Sequence, residues 1–266
     1  MGGVRTPSTS VVPPGEGSST PPPALVLAGH EVHLWIASLD EVTHRLRDQW
    51  LSLPESVQAR VNRLATAELR RRAIAGEVLR RRVLSRYTGV APEEIRFRRT
   101  PGGKPELAEA HPVQFSLSHS GPLFLLGVRR GGAIGVDVER IRPVRDPISM
   151  ARRVFPPEVV EELERAPDGP TLHRMFLHRW TQHEALLKGK GVGLRTPARS
   201  APAGAASPPE AASSAEAASP EGWRTTGVPL PQESALAAVA TEGAQFCPIR
   251  RFPWNPEHIE GPKEVR

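Results

Sequence analysis

Apolar and polar residues alternate along residues 31–38 (EVHLWIAS), a period of two that predicts a first strand. The period then lengthens. Over residues 54–88, Val57, Val61, Leu64, Leu69, Ile74, Val78, Leu79 and Val83 recur at helical spacing, and Thr88-Gly89 ends the run. Ile95 to Arg98 alternates again, Pro101-Gly-Gly-Lys-Pro105 turns, and residues 113–118, 123–128 and 132–139 predict three more strands joined by glycine-containing turns. A helix from Ile148 to Leu163 follows. A second helix runs from Thr171 to Lys188 and stops at Gly189, Gly191 and Gly193. Residues 235–240 and 246–250 read as closing strands. The mixture predicts an α+β (α/β mixed) fold.

Two stretches break the pattern. The start of the chain, residues 1–28, is dominated by Pro, Ser, Thr and Gly up to residue 23, and residues 197–221 (PARSAPAGAASPPEAASSAEAASPE) hold little but Ala, Pro, Ser and Glu. Neither offers apolar surface to offset the entropy of ordering, so both are expected to be disordered. The remaining chain divides into an N-terminal lobe at residues 29–140 and a C-terminal lobe at 141–252, the latter interrupted by the 197–221 insertion, with residues 253–266 as a tail.

The strand predicted at 134–139 (IGVDVE) carries an unusual pair. With Ile134, Val136 and Val138 toward a core, Gly135, Asp137 and Glu139 share the other face, the two carboxylates about 7 Å apart. Two acids so placed fit a hard cation that also binds substrate phosphate, but taken alone they read more simply as a solvated strand end.

Composition narrows the class. The single cysteine, Cys247, excludes an internal disulfide and a cysteine-rich zinc site and fits a reducing, cytoplasmic setting. Residues 24–37 form the most apolar stretch, but it falls short of the roughly 20 residues needed to span a bilayer and contains His30, Glu31 and His33. No membrane partner is expected. The 35 basic residues, only four of them lysines, outnumber 29 acids for a net charge of +6. They cluster between Arg60 and Arg99, where they would attract a polyanion: nucleic acid, a phosphorylated cofactor or an acidic protein. Nucleic acid is disfavoured, because stacking aromatics are few there: only Tyr87 and Phe97 interrupt the arginines.

Other candidates have simple readings beside the functional ones. Glu184 and Lys188 lie one turn apart on one helix face, as an ion pair or as a base and a phosphate-binding cation. Lys104 sits in the Gly-Gly-Lys-Pro turn, exposed or reaching for an anion. Ser118-His119 lacks the G-x-S-x-G elbow, and neighbours on a strand face opposite ways, so a serine hydrolase is set aside.

Five blocks in order, GEVLRR at 76–81, GGKPEL at 102–107, FSLSHS at 115–120, IGVDVE at 134–139 and WTQHEALLKGKGVGL at 180–194, resemble the larger, single-chain 4′-phosphopantetheinyl transferases of peptide and polyketide synthesis. The resemblance runs from about His33 to Leu194 and more faintly over 223–252. It implies two pseudo-symmetric lobes with coenzyme A between them, Mg²⁺ (or Mn²⁺) held by Asp137, Glu139 and Glu184, and Glu184 and Lys188 as catalytic residues. It further implies coenzyme contacts from Lys104, Ser118, His119 and His183, with Arg60 and Arg63 as the nearest counterparts of the 3′-phosphate grip. The donor would be coenzyme A, the acceptor a serine of an apo acyl or peptidyl carrier protein, and the product 3′,5′-ADP. With both lobes in one chain, a monomer is expected.

Three departures matter. His183 stands where the family has lysine before the helix glutamate, and a histidine is charged only below about pH 6.5, making a phosphate contact conditional on pH. Ser116 replaces the family's asparagine, and the 197–221 linker is long. These leave open a degenerate paralogue that binds coenzyme A or a carrier protein but transfers little.

Overall fold

The computed structural model describes residues 25–43, 50–51, 53–192, 216–218, 222–231, 234–243, 245 and 247–254. Most of the expected N-terminal tail, residues 197–215 and 219–221 of the insertion, Gly193 and nearly all of the C-terminal tail lie outside them.

The first sheet uses β1 (Val32–Ser38), β4 (Val113–Ser120), β5 (Leu123–Arg130) and β10 (Ile249–Pro253) in the order β10-β1-β5-β4. β1 and β4 run antiparallel to β5, while β10 lies parallel to β1. The second sheet has β6 (Ile134–Arg140), β7 (Glu216–Ala218), β8 (Trp223–Val228) and β9 (Ala235–Glu242) in the order β6-β9-β8-β7, all antiparallel. A hairpin of β2 (Phe97–Arg99) and β3 (Pro105–Leu107) stands apart. The helices are α1 (Leu39–Thr43), α2 (Glu55–Asn62), α3 (Ala67–Thr88), α4 (Pro147–Val154), α5 (Pro157–Glu164) and α6 (Pro170–Lys190).

The period-two pattern explains the layering. On β1, Trp35 and Ala37 join Val78, Leu79, Val83 and Leu84 of α3, whereas Val32 and Leu34 join Ile134, Val136 and Val138 of β6 and Val239 of β9. The sheets therefore stack face to face, with α3 outside the first and α6 outside the second. The stacking is close: a Cβ on Gly127 of β5 would lie 2.5 Å from Val136 Cγ1. On the outer face of the second sheet, Ala238 and Ala240 meet Ala185 and Leu186 of α6. The apolar stretch around residues 24–37 is thus a sheet strand and its approach, and among the described residues no helix is long and apolar enough to cross a membrane.

Several expectations shift. The single helix expected over 54–88 is two, because the Thr66 side chain accepts a hydrogen bond from Leu69 N–H (3.1 Å) and starts α3 anew. The helix expected over 148–163 divides at Pro156-Pro157, with Phe155 extended before proline. α6 continues through Gly189 and ends at Gly191, whose φ of 69° supplies the left-handed cap. The insertion expected to be disordered contributes β7 at its end, paired with β8, and neither strand was legible as alternation. Finally, β6, grouped by sequence with the first lobe, hydrogen-bonds to β9 in the second sheet, and β10, grouped with the second lobe, pairs with β1.

Candidate active site

The face of β6 that carries Gly135, Asp137 and Glu139 is covered by α6, not wet. A Cβ on Gly135 would sit 1.9 Å from the Ala185 carbonyl oxygen and 2.3 Å from Gly189 N, so only glycine admits the helix backbone here. Gly189 in turn leaves room for Trp223, whose ring a Cβ would approach to 2.5 Å. This contact lays Glu184 and Lys188 of α6 over the two strand acids.

Asp137 is the centre of the cluster and is buried. Its Oδ1 accepts hydrogen bonds from Ser118 Oγ (2.8 Å) and Lys188 Nζ (2.6 Å), and Lys188 Nζ also donates to Ser118 Oγ (2.8 Å). The Lys188 ammonium is thus committed to Asp137 across the two elements, where its spacing had offered Glu184 as partner. Asp137 Oδ2 is buried without a hydrogen-bond partner. Burial pushes the Asp137 carboxyl above its ordinary range, and Lys188, Ser118 and the Val138 N–H pull back only in part.

Glu184 is also buried, and its pKa is pushed up to about 7 by burial and by the charges of Asp137 and Glu139, with Lys188 opposing. Glu139 accepts from Ser120 Oγ (2.9 Å) and has Arg142 nearby at 3.7 Å. Three alternate serines of β4 thereby reach β6. Ser116 Oγ accepts from Val136 N–H (3.1 Å), Ser118 orients Asp137, and Ser120 bridges Glu139 and the Arg140 N–H (3.1 Å). Hydroxyls stand in for a backbone ladder between the two sheets. Only Ser118 had been singled out for the site, although the period-two serines of FSLSHS were the signal for all three. Ser116, read as a shortened replacement for asparagine, bonds a buried backbone amide.

The histidines divide. His119 keeps much of its surface in solvent and shares the strand parity of Phe115 and Leu117, yet it feels the cluster: partial desolvation of the ring and then Lys188 lower its pKa, against Asp137 and Glu139. His183 is buried edge-on against Phe155 (5.8 Å between centroids), with Nδ1 unpartnered. Burial and Lys190 push its pKa down to about 4, so with no anion beside it the ring is neutral between pH 6 and 8. Replacing His183 with glutamine should leave the shape of the pH–activity profile between pH 6 and 8 unchanged. A displaced apparent pKa in that window would show that the imidazole charges during turnover.

The first-lobe arginines gather elsewhere. Arg60, half-exposed, reaches Glu77 of α3 (3.3 Å), while Arg63 is exposed just past the end of α2. Glu77 is buried and also holds Arg80 (2.7 Å) and Arg81 (3.0 Å). Burial raises its carboxyl pKa, but the three guanidinium groups outweigh that and leave it low. Arg80 stacks on Phe97, 3.8 Å from the ring centroid. The Glu77, Arg80 and Arg81 spacing within GEVLRR was the sequence signal for this cluster. Lys104 extends from the hairpin turn to the carbonyls of Ile134 (2.9 Å) and Gly189 (3.0 Å).

Among the described residues, no three His, Cys, Asp or Glu side chains form a ready-made metal-ligand group. The donor chemistry nevertheless fits an oxygen-ligated cation: Asp137 presents a buried, unpartnered carboxylate oxygen, and the charges of Asp137 and Glu139 both bear on Glu184. Mg²⁺ characteristically takes only one or two protein carboxylates and completes its shell with water and phosphate.

Comparison with known proteins agrees with this geometry. A family profile described as "4′-phosphopantetheinyl transferase, N-terminal" matches residues 35–129, and one described as "4′-phosphopantetheinyl transferase superfamily" matches residues 133–227, so their junction falls at the β5–β6 turn. The chain is 39% identical over 176 residues to 4′-phosphopantetheinyl transferase HetI of Nostoc sp., an alignment covering 65% of this chain and 74% of that protein. It is 31% identical over 126 residues to 4′-phosphopantetheinyl transferase Sfp of Bacillus subtilis, covering 47% of this chain and 54% of the relative. It is also 31% identical over 146 residues to the L-aminoadipate-semialdehyde dehydrogenase-phosphopantetheinyl transferase of Eremothecium gossypii, covering 53% and 52%. With both halves matched in order and the acid cluster assembled where the two sheets and α6 meet, the chain belongs to the 4′-phosphopantetheinyl transferase family.

Proposed function

We propose that this protein transfers the 4′-phosphopantetheine group of coenzyme A to a serine of an apo acyl or peptidyl carrier protein, with Mg²⁺, releasing 3′,5′-ADP. The observation that carries this reading is Asp137, one carboxylate oxygen tied to Ser118 and Lys188 and the other buried without a hydrogen-bond partner, beside a glutamate whose pKa is about 7. Asp137, Glu139 and Glu184 would hold the cation, which when bound supplies positive charge to the pyrophosphate.

The residues of the chain account for the rest. Glu184, as the carboxylate, takes the proton from the carrier's serine while the serine oxygen forms a bond to the β-phosphorus. The bond between that phosphorus and the bridging oxygen breaks, and the electron pair leaves with 3′,5′-ADP. Lys188, a third exposed and adjacent to Asp137, is a fixed cation for the oxygens on which charge builds. His119 lies at the cluster's exposed side, where it can donate to a phosphate. Arg60, half-exposed beside the buried Glu77 cluster, and the exposed Arg63 offer basic groups to the coenzyme's remaining phosphate or to an acidic carrier. We further read the protein as a cytoplasmic monomer, with no nucleic-acid or membrane partner.

Intact-mass spectrometry of a panel of apo carriers, incubated with the protein, coenzyme A and Mg²⁺, tests this. One phosphopantetheine added per carrier, abolished by EDTA, is the expected result. No gain on any carrier while coenzyme A still binds would overturn transfer and leave a binding protein.

A further inference from the structure

Lys104 occupies a place that a free phosphate ligand would not. Its turn is tightly built: Gly103 N–H donates to the Thr100 carbonyl (2.8 Å), Lys104 N–H to Thr100 Oγ1 (3.0 Å), and Gly103 has a φ of 86°. The tip rests on the end of α6, since a Cβ on Gly102 would lie 1.7 Å from the Gly191 carbonyl oxygen, backbone against backbone. From there the half-buried ammonium donates to Gly189 O (3.0 Å) and Ile134 O (2.9 Å). Gly189 lies in the last turn of α6, whose carbonyls lack intrahelical donors, and a cation there also meets the negative end of the helix. Ile134 is the first residue of β6. One side chain thus joins the helix that bears Glu184 and Lys188 to the strand that bears Asp137 and Glu139.

We propose that Lys104 is a positioning residue of the transferase: its ammonium braces the C-terminus of α6 against the start of β6 and so sets Glu184 and Lys188 over the strand acids. This rests on the transfer reading above, in which the two elements must be in register. It departs from the role implied by the family resemblance, in which this lysine binds the coenzyme's phosphate.

The two roles separate in kinetics. Lys104→Met keeps the stem and removes the donors. If Lys104 is a brace, kcat falls roughly tenfold to a hundredfold, as for misplaced catalytic groups, while the calorimetric Kd for coenzyme A stays within about twofold. Gly102→Ala should give the same kcat-selective loss, because it displaces the end of α6 while leaving the Lys104 ammonium in place. Hydrogen exchange supplies a readout independent of turnover: amides of residues 187–192 should lose protection in both variants. A rise in Kd for coenzyme A with kcat preserved, or unchanged protection at 187–192, overturns the brace. Absence of transfer by the unmodified protein instead overturns the transferase reading, and the exchange experiment still decides whether Lys104 holds the helix.

Discussion

Asp137→Asn abolishes transfer, lowering kcat/KM by about 10³-fold or more, because it removes the one strand carboxylate that both faces Lys188 and keeps a buried oxygen without a hydrogen-bond partner. The size follows from where Asp137 sits. A charge at an exposed strand end would be screened, but this one is 4% exposed beneath α6, where an unpaired cation or a developing phosphoryl charge is felt strongly. The fold should survive. Burial already raises the Asp137 pKa, so ionisation there costs stability, and a neutral amide of the same shape relieves that cost while giving up the Lys188 pair. Lys188 is a third exposed and retains Ser118, so it is not stranded. The expected melting temperature is within a few degrees of the parent. Transfer within tenfold of the parent, measured by carrier mass at saturating coenzyme A and Mg²⁺, would remove Asp137 from the mechanism.

The parts of this site that the sequence exposed are those set by local period. The alternation of IGVDVE put Asp137 and Glu139 on one face, and the helical run from Thr171 put Glu184 and Lys188 one turn apart. What the period could not show is what covers each face. Asp137 and Glu139 read more simply as wet acids until Gly135 and Gly189 are seen admitting α6 onto that face. Lys188 had a partner at hand in Glu184, yet its long side chain reaches two acceptors at once on other elements, Asp137 of β6 and Ser118 of β4, which no spacing along the helix could show. The environment of His183 was hidden for the same reason: Phe155, whose ring packs edge-on against it, lies in the extended link after α4, well upstream in the chain. β7 was missed because an Ala-rich segment of low hydrophobicity carries no alternation, and only the edge of β8 recruits it.

Glu184 ties activity and stability together in opposite senses. Glu184→Gln removes the proposed base and should lower kcat by about 10²–10⁴-fold. In EDTA, however, the glutamine variant should be the more stable protein at pH 8. The folded chain raises the Glu184 pKa from 4.5 to about 7, so its ionised form costs more in the folded state than in the unfolded one. The contribution of protonated Glu184 is fully present below about pH 4.5 and is lost as pH rises through about 7. A rise from 4.5 to about 7 corresponds to somewhat over ~3 kcal/mol between the two plateaus, and to about 2–3 kcal/mol once water reaching the site screens part of it. Denaturant unfolding in EDTA should therefore show the parent losing that much relative to Glu184→Gln between about pH 4 and 8, with the two proteins nearly equal at the acid end. Mg²⁺ at pH 8 should then restore stability to the parent and little to the variant, since a ligand stabilises only the state that binds it. Parallel pH dependences for parent and variant would show that Glu184 ionises without cost, and a base so comfortable in its carboxylate form would not be the one that drives transfer at neutral pH.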